Sequence, residues 1–166
     1  PFPAGFDDVG AAVEWLRGNA AGEYAGRLGG VPEVLQFAGG ASNLTYLLRF
    51  DGLDLVLRRG PSGTKARGAH DMGREYRIQS ALRTQFPYVA TMVAFCDDPG
   101  VIGSEFYVME RLVGVVPRRD LQVPVSPEQA RALCHGMLDV LVRLHTVDPA
   151  EAGLETLGKG DGYVRR

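Results

Sequence analysis

The sequence lacks the features that would place it directly among nucleic-acid-binding or membrane proteins. Its 18 basic and 20 acidic residues give a formal net charge of −2, and there is no long basic run. Nucleic-acid binding needs a clustered basic patch, so we expect no nucleic-acid partner. No apolar stretch approaches the ~20 residues that a membrane-spanning helix requires, so we expect no membrane partner.

Cysteine is scarce, and a leader pattern is missing. Cys96 and Cys134 lie far apart, each in an apolar segment. Such a pair supports neither a disulfide framework nor a metal site, so we expect two reduced core residues. The first residues lack the basic and apolar regions of a signal peptide, and we therefore expect a cytoplasmic protein.

A hydrophobic period of two residues, typical of β-strands, starts at Val34. It predicts a short strand at Val34–Phe37 and a longer strand at Leu44–Phe50. Asp51-Gly52 is the favoured pair for a two-residue hairpin loop. The segment Leu53–Arg59 should therefore return as an antiparallel third strand.

The register of this hairpin decides which side chains share a face of the sheet. A two-residue loop places Leu47 opposite Val56 and Thr45 opposite Arg58. Arg58 then shares a face with Val56, Thr45 and Leu47, and that face would hold a ligand. Arg59 falls on the other face, where we expect it to be solvated.

The other elements follow from periodicity and capping signals. The final helix has the strongest start signal, because Ser126 precedes proline and a capping-box glutamine. The remaining predictions are a first helix at about Asp8 to Arg17 that stops at a left-handed Gly18, a second helix at about Asp71 to Thr84, strands at Val89 to Cys96 and Glu105 to Glu110, a turn at Asp97 to Gly100, and an end of the last helix at Asp148-Pro149.

A glycine-bearing turn connects the first two predicted strands. It contains Gly39, Gly40, Ala41, Ser42 and Asn43. Such a sequence is typical of an ordinary hairpin loop. As a phosphate site, it would use the Ser42 hydroxyl and the backbone N–H groups of Gly40 to Asn43.

An acidic residue on the second helix offers a partner for Arg58. Glu75 shares a helical stripe with apolar residues, and a carboxylate on a buried stripe needs a partner. The alternatives are a solvated Arg58 and a surface Glu75 paired with Arg74 or Gln79. Kinase-type ATP-binding lobes have the same order of features: a turn, a basic residue on the next strand and an acidic residue on the next helix.

Five segments of this chain, in order, resemble the amino-terminal lobe of aminoglycoside-phosphotransferase-like kinases. They are Phe37–Leu48, Asp54–Arg59, Arg74–Tyr76, Phe106–Glu110 and Leu144–Asp148. Within that family, the chain is most similar to the branch associated with acyl-CoA dehydrogenases.

The resemblance implies an α+β, protein-kinase-like fold. A five-stranded antiparallel sheet with one helix would be followed by the first helix of a helical second lobe. The expected domains are an N-terminal helical extension at 1–30, a kinase-like ATP-binding lobe at 31–111, a hinge at 112–125, and an incomplete helical lobe at 126–166.

The resemblance also implies a nucleotide partner, with ATP and Mg²⁺ as cofactors. Arg58 would stand where most kinases have lysine, and residues on its face would sandwich the adenine ring. The implied nucleotide-binding residues are Gly39, Gly40, Ala41, Ser42, Asn43, Thr45, Val56, Arg58, Glu75, Met109, Glu110 and Leu112, with Leu47 as an alternative to Thr45.

The sequence departs from the family at the catalytic loop. None of its three histidines is followed by Gly-Asp, so we expect no catalytic residue, no metal ligand and no phosphoryl transfer from this chain alone.

The acceptor would be a small-molecule hydroxyl, with acyl or lipid-derived hydroxyls favoured over antibiotics. Alternatives are a pseudokinase-like nucleotide- or partner-binding module and a plain structural module. The last helix, with its apolar stripe, predicts self-association.

Overall fold

The computed structural model describes residues 7–20, 22–37, 43–60, 71–116, 121 and 123–158. Its elements are α1 (Asp7–Asn19), a 3₁₀ helix (Gly22–Arg27), β1 (Glu33–Gln36), β2 (Leu44–Phe50), β3 (Leu53–Arg59), α2 (Met72–Leu82), β4 (Met92–Cys96), α3 (Pro99–Ile102), β5 (Phe106–Glu110), α4 (Pro127–His145) and a second 3₁₀ helix (Glu155–Leu157). Across these described ranges, every helix is too short or too polar to traverse a lipid bilayer.

The predicted five-stranded antiparallel sheet is present, with the strand order β1-β2-β3-β5-β4. The predicted hairpin register is confirmed, since Leu47 lies opposite Val56 and Thr45 lies opposite Arg58. Gly52 has a φ of 68°, a backbone angle that the two-residue turn requires and that glycine adopts without steric cost.

One face of the sheet forms the hydrophobic core with α1. The helix contributes an apolar stripe that includes Val13 and Leu16, and both residues are fully buried. Trp15 meets Phe106 edge to face, with 5.2 Å between the ring centroids. Burial of each large side chain contributes about 1.5–3 kcal/mol, so this layer stabilises the sheet substantially. The strand residues of this core include Leu48, Leu55, Leu57, Phe106 and Val108.

The opposite face of the sheet carries α2. Tyr76 stacks on Phe95 of β4, with 5.4 Å between the ring centroids. A Cβ atom at Gly73 would lie 3.0 Å from the Phe95 ring, so glycine allows this close approach. The face with Arg58 is therefore the one on which the second helix lies.

Three side-chain or backbone predictions were wrong. Arg59 is only 1% exposed, because α1 covers its face and Asp8 forms an ion pair with it. Cys134 is exposed on α4, whereas Cys96 is buried, and both are free thiols. Helix α1 continues past Gly18 to Asn19, and the N–H of Ala20 still donates to the carbonyl of Leu16 at 2.8 Å.

Several element bounds also differ from the predictions. A short helix, α3, replaces the predicted turn because Asp98 caps it and accepts a hydrogen bond from the Gly100 N–H at 2.7 Å. The predicted capping box at Ser126 is confirmed. The remaining differences are that β1 spans Glu33–Gln36, α2 ends at Leu82, β4 begins at Met92, β5 begins at Phe106 and α4 ends at His145.

The chain divides into two compact units. The first is Pro1–Ser80 with Ala90–Arg111, and the second is Ala81–Val89 with Leu112–Arg166. Helix α1 therefore belongs to the same unit as the sheet. In the second unit, the apolar residues of α4 remain accessible, with Leu133 54% and Met137 68% exposed. The predicted boundaries at residues 30, 111 and 125 stay predictions.

Candidate functional site

The predicted ion pair between Arg58 and Glu75 is present. Strand β3 presents Arg58 on the face that carries α2, and Glu75 lies in the first turn of that helix. Nη2 of Arg58 lies 3.2 Å from Oε2 of Glu75, and the two side chains are 30% and 35% exposed. A pair this accessible contributes about 1 kcal/mol or less to stability. Its partial exposure leaves the guanidinium able to meet a ligand.

Two further donors hold the Glu75 carboxylate. Tyr107 donates its hydroxyl to Oε2 at 2.9 Å, and Asn43 directs its amide nitrogen to Oε1 at 3.4 Å. Tyr107 lies opposite Arg58 in the β3–β5 pairing. The carboxylate therefore joins α2 to β3, to β5 and to the residue before β2.

The Tyr107 hydroxyl is buried and protonated. Burial, together with the nearby Glu75 carboxylate, raises the pKa of Tyr107 to about 12, although Arg58 acts in the opposite direction. The side-chain nitrogen of Gln79 also lies 3.3 Å from the hydroxyl oxygen. Since Gln79 can donate and the carboxylate can only accept, the tyrosine proton is directed toward Glu75.

Tyr107 was missed as a site residue by the sequence reasoning. The signal that could have found it is the alternation of side chains along β5, which places Tyr107 and Met109 on one face. That signal becomes useful only when β5 is known to pair with β3, and the strand order contains this non-sequential pairing.

The predicted phosphate-binding turn falls largely outside the described residues. Gly39, Gly40, Ala41 and Ser42 lie there, and their predicted role stays a prediction. Asn43, the last residue of that turn, is described and contacts Glu75. The amide of Asn43 thus ties the end of the turn to the ion pair.

The residues predicted to contact adenine lie on the face that carries Arg58. Val56 lies opposite Met109 and opposite Leu47 in the neighbouring strands. Leu47 and Val56 are buried, whereas Thr45 and Met109 keep part of their surface accessible. Of the four residues predicted to contact the ring, Thr45 and Met109 are therefore the two with accessible surface on this face.

The family resemblance also predicts that backbone groups near Glu110 to Leu112 hydrogen-bond the adenine ring, and Glu110 is the last residue of β5. The Glu110 N–H donates to the Thr91 carbonyl at 2.9 Å, and the Arg111 N–H donates to the Asp54 carbonyl at 3.2 Å. The Glu110 side chain accepts a hydrogen bond from the Tyr24 hydroxyl at 2.8 Å. The Glu110 and Arg111 N–H groups are therefore both occupied by hydrogen bonds within the chain, and the predicted role of Leu112 stays a prediction.

A second charged cluster marks the far end of the same face. Asp54 lies 2.6 Å from the guanidinium of Arg111 and 3.6 Å from that of Arg49, which also pairs with Glu33 at 2.7 Å. These contacts fix β5 at its exit from the sheet.

Within the described part of the chain, no group of three histidine, cysteine or acidic side chains could hold a metal ion.

Comparisons with known proteins agree with this fold. The model of the phosphotransferase enzyme family matches residues 33–166. A crystal structure from Ralstonia eutropha, described as a candidate aminoglycoside phosphotransferase, has a TM-score of 0.75 and 34% sequence identity. That match covers 95% of this chain and 44% of the Ralstonia chain.

Two acyl-CoA dehydrogenase relatives show how much longer the similar proteins are. The chain is 38% identical over 137 residues to acyl-CoA dehydrogenase family member 10 of Mus musculus, which covers 82% of this chain and 13% of that protein. It is also 36% identical over 137 residues to acyl-CoA dehydrogenase family member 11 of Gallus gallus, and this match covers 82% of this chain and 18% of that protein. The chain thus spans a small part of these relatives. From the family match over most of its length and the shared fold, the chain belongs to the phosphotransferase enzyme family.

Proposed function

We propose that this chain is the ATP-binding portion of a small-molecule phosphotransferase, which transfers the γ-phosphoryl group of ATP to a substrate hydroxyl. Family membership and fold support a kinase-like enzyme. The observation that carries ATP binding is the Arg58–Glu75 pair, at 3.2 Å, on the face that also holds Thr45 and Met109.

The pair has the chemistry that a triphosphate needs. A guanidinium is planar and presents donors on more than one edge, so Arg58 can bond Glu75 and a phosphate oxygen together. Glu75 limits the rotamers of Arg58, and this limits the entropy lost when the phosphate binds. Apolar contacts from Thr45 and Met109 would place the adenine ring farther along the same face.

Among the described residues, no group of three or more histidine, cysteine or acidic side chains could hold the magnesium ion that accompanies ATP. When bound with ATP, Mg²⁺ neutralises charge on the β- and γ-phosphates. We place its ligands and the catalytic base outside these 166 residues, because the sequence has no His-Gly-Asp motif. On this proposal the chain binds nucleotide without transferring phosphate.

The acceptor is proposed to be a hydroxyl on an acyl or lipid-derived molecule. Support comes from the relatives, which are described as acyl-CoA dehydrogenase family members. The proposal therefore separates two tasks, and it assigns nucleotide binding, but not acceptor binding, to the residues of the candidate site.

Calorimetric titration with MgATP tests nucleotide binding. Arg58→Ala should weaken binding roughly 10- to 100-fold, since a hydrogen bond to a charged group contributes about 1.5–3 kcal/mol. Arg58→Lys keeps the charge but loses the planar fork, so its affinity should be intermediate.

Arg49→Ala is the matched control. Arg49 is also a strand arginine paired with carboxylates, and it lies four residues beyond the partner of Arg58, about 13 Å along the strand. Its substitution should change the affinity less than about twofold. Equal MgATP binding by wild type and Arg58→Ala, or no binding by wild type, would remove the support for this function.

A further inference from the structure

Tyr107 contacts the same carboxylate oxygen that Arg58 contacts. Oε2 of Glu75 lies 2.9 Å from the Tyr107 hydroxyl and 3.2 Å from the Arg58 Nη2 atom. Tyr107 and Arg58 are also directly opposite each other in adjacent strands. One oxygen of Glu75 thus receives two donors from neighbouring strands.

The tyrosine ring is held firmly beneath this contact. Tyr107 is 1% exposed, and its ring packs against Tyr76 with 6.5 Å between centroids. Gln79, one helical turn after Glu75, lies 3.3 Å from the same hydroxyl. Two successive turns of α2 therefore converge on a single buried oxygen.

Helix α2 makes both apolar and polar contacts with the sheet. Only Met72 and Gly73, in its first turn, are fully buried. Glu75 and Gln79 are partly accessible, and each contacts Tyr107. The hydrogen bonds to Tyr107 thus add to the stacking of Tyr76 on Phe95 in positioning the helix over Arg58.

We propose that Tyr107 is a positioning residue of the nucleotide site. It fixes the Glu75 carboxylate, and through that carboxylate it orients the Arg58 guanidinium toward the phosphates. Its hydroxyl is buried and already directed at Glu75, so Tyr107 acts without touching the nucleotide. This inference rests on the proposed ATP-binding function.

A double-mutant cycle with MgATP titration tests the role. Tyr107→Phe removes only the hydroxyl and should weaken binding about 3- to 10-fold, the range of one net hydrogen bond. In an Arg58→Ala background the same substitution should change affinity less than about twofold, because the group that Tyr107 orients is gone. A purely structural role would give equal losses in both backgrounds.

Tyr46→Phe is the matched control, since Tyr46 is a buried tyrosine on the opposite face of the sheet. It should leave MgATP affinity within about twofold of wild type. Gln79→Leu provides a second variant on the surface of α2 and should produce a smaller loss that also disappears with Arg58→Ala. It keeps the test decisive if Tyr107→Phe fails to fold.

The outcomes separate this inference from the function on which it rests. Wild-type affinity in Tyr107→Phe, together with a clear loss in Arg58→Ala, would overturn the role of Tyr107 and leave ATP binding supported. Equal losses from Tyr107→Phe in both backgrounds would also overturn it. Absence of MgATP binding by the wild type would overturn both proposals.

Discussion

The ion pair between Asp8 and Arg59 allows a sharp prediction about stability. Arg59 has a side chain that is 2% exposed, whereas that of Asp8 is 37% exposed. Asp8→Asn removes the opposite charge and leaves the guanidinium buried on the face covered by α1. The substitution should therefore destabilise the sheet and its helix together.

The expected size follows from the burial of the two partners. Loss of one member of a fully buried pair costs about 3–5 kcal/mol, and an exposed pair contributes about 1 kcal/mol or less. Water can reach Asp8, and asparagine still offers an oxygen acceptor, so we expect a loss of about 2 kcal/mol. For a domain of ordinary stability, about 5–15 kcal/mol, this is a large fraction.

Urea unfolding followed by tryptophan fluorescence measures the effect. Trp15 is the only tryptophan in the chain, and it packs against Phe106 in the first unit. Its signal therefore reports on the unit that contains Asp8. A loss of 2 kcal/mol should lower the urea midpoint by roughly 1 M.

Glu14→Gln is the control in the same helix. Glu14 pairs with Arg17, and their side chains are 69% and 31% exposed, so its substitution should cost less than about 0.5 kcal/mol. A combined Asp8→Leu and Arg59→Met variant removes both charges and should recover much of the loss. If Asp8→Asn and Glu14→Gln cost the same small amount, the buried ion pair has no special role in stability.

Two other predictions concern pH and association. Burial is the main cause that raises the pKa of Tyr107 to about 12, above the usual tyrosine value near 10. The protonated tyrosine therefore stabilises the folded state fully below pH 10, and this stabilisation is lost as the pH rises through 12. Urea midpoints between pH 9 and 11 should fall less steeply for Tyr107→Phe than for wild type, and equal slopes would contradict this prediction. The exposed apolar residues of α4 predict that the protein associates with itself. The double variant Met137→Glu with Leu141→Glu should lower the association measured by light scattering, whereas the control Arg131→Glu should leave it unchanged. A monomeric wild type would refute the prediction.

The hairpin could be predicted from the sequence because its determinants are local. Asp51-Gly52 fixes the loop length, and the loop length fixes that Thr45 lies opposite Arg58. Helical periodicity then placed Glu75 near the strand. The ion pair of the candidate site could thus be predicted from short-range sequence patterns and from one expected contact between neighbouring elements.

The parts that could not be predicted depend on long-range packing. The burial of Arg59 depends on which face α1 covers, and nothing in the residues around Arg59 reports this. The role of Tyr107 requires β5 to lie beside β3, although β4 comes between them in the sequence. Asp98 was assigned to a turn because a four-residue helix is too short to show a period.

The N-terminal helix has a practical consequence for moving this module between proteins. The family match begins at residue 33, yet α1, at residues 7–19, seals one face of the sheet. A chimera joined at residue 33 would uncover Leu48, Leu55 and Val108 and would leave Arg59 without Asp8. A fusion joint placed before residue 7 would keep α1 packed on the sheet in the chimeric protein.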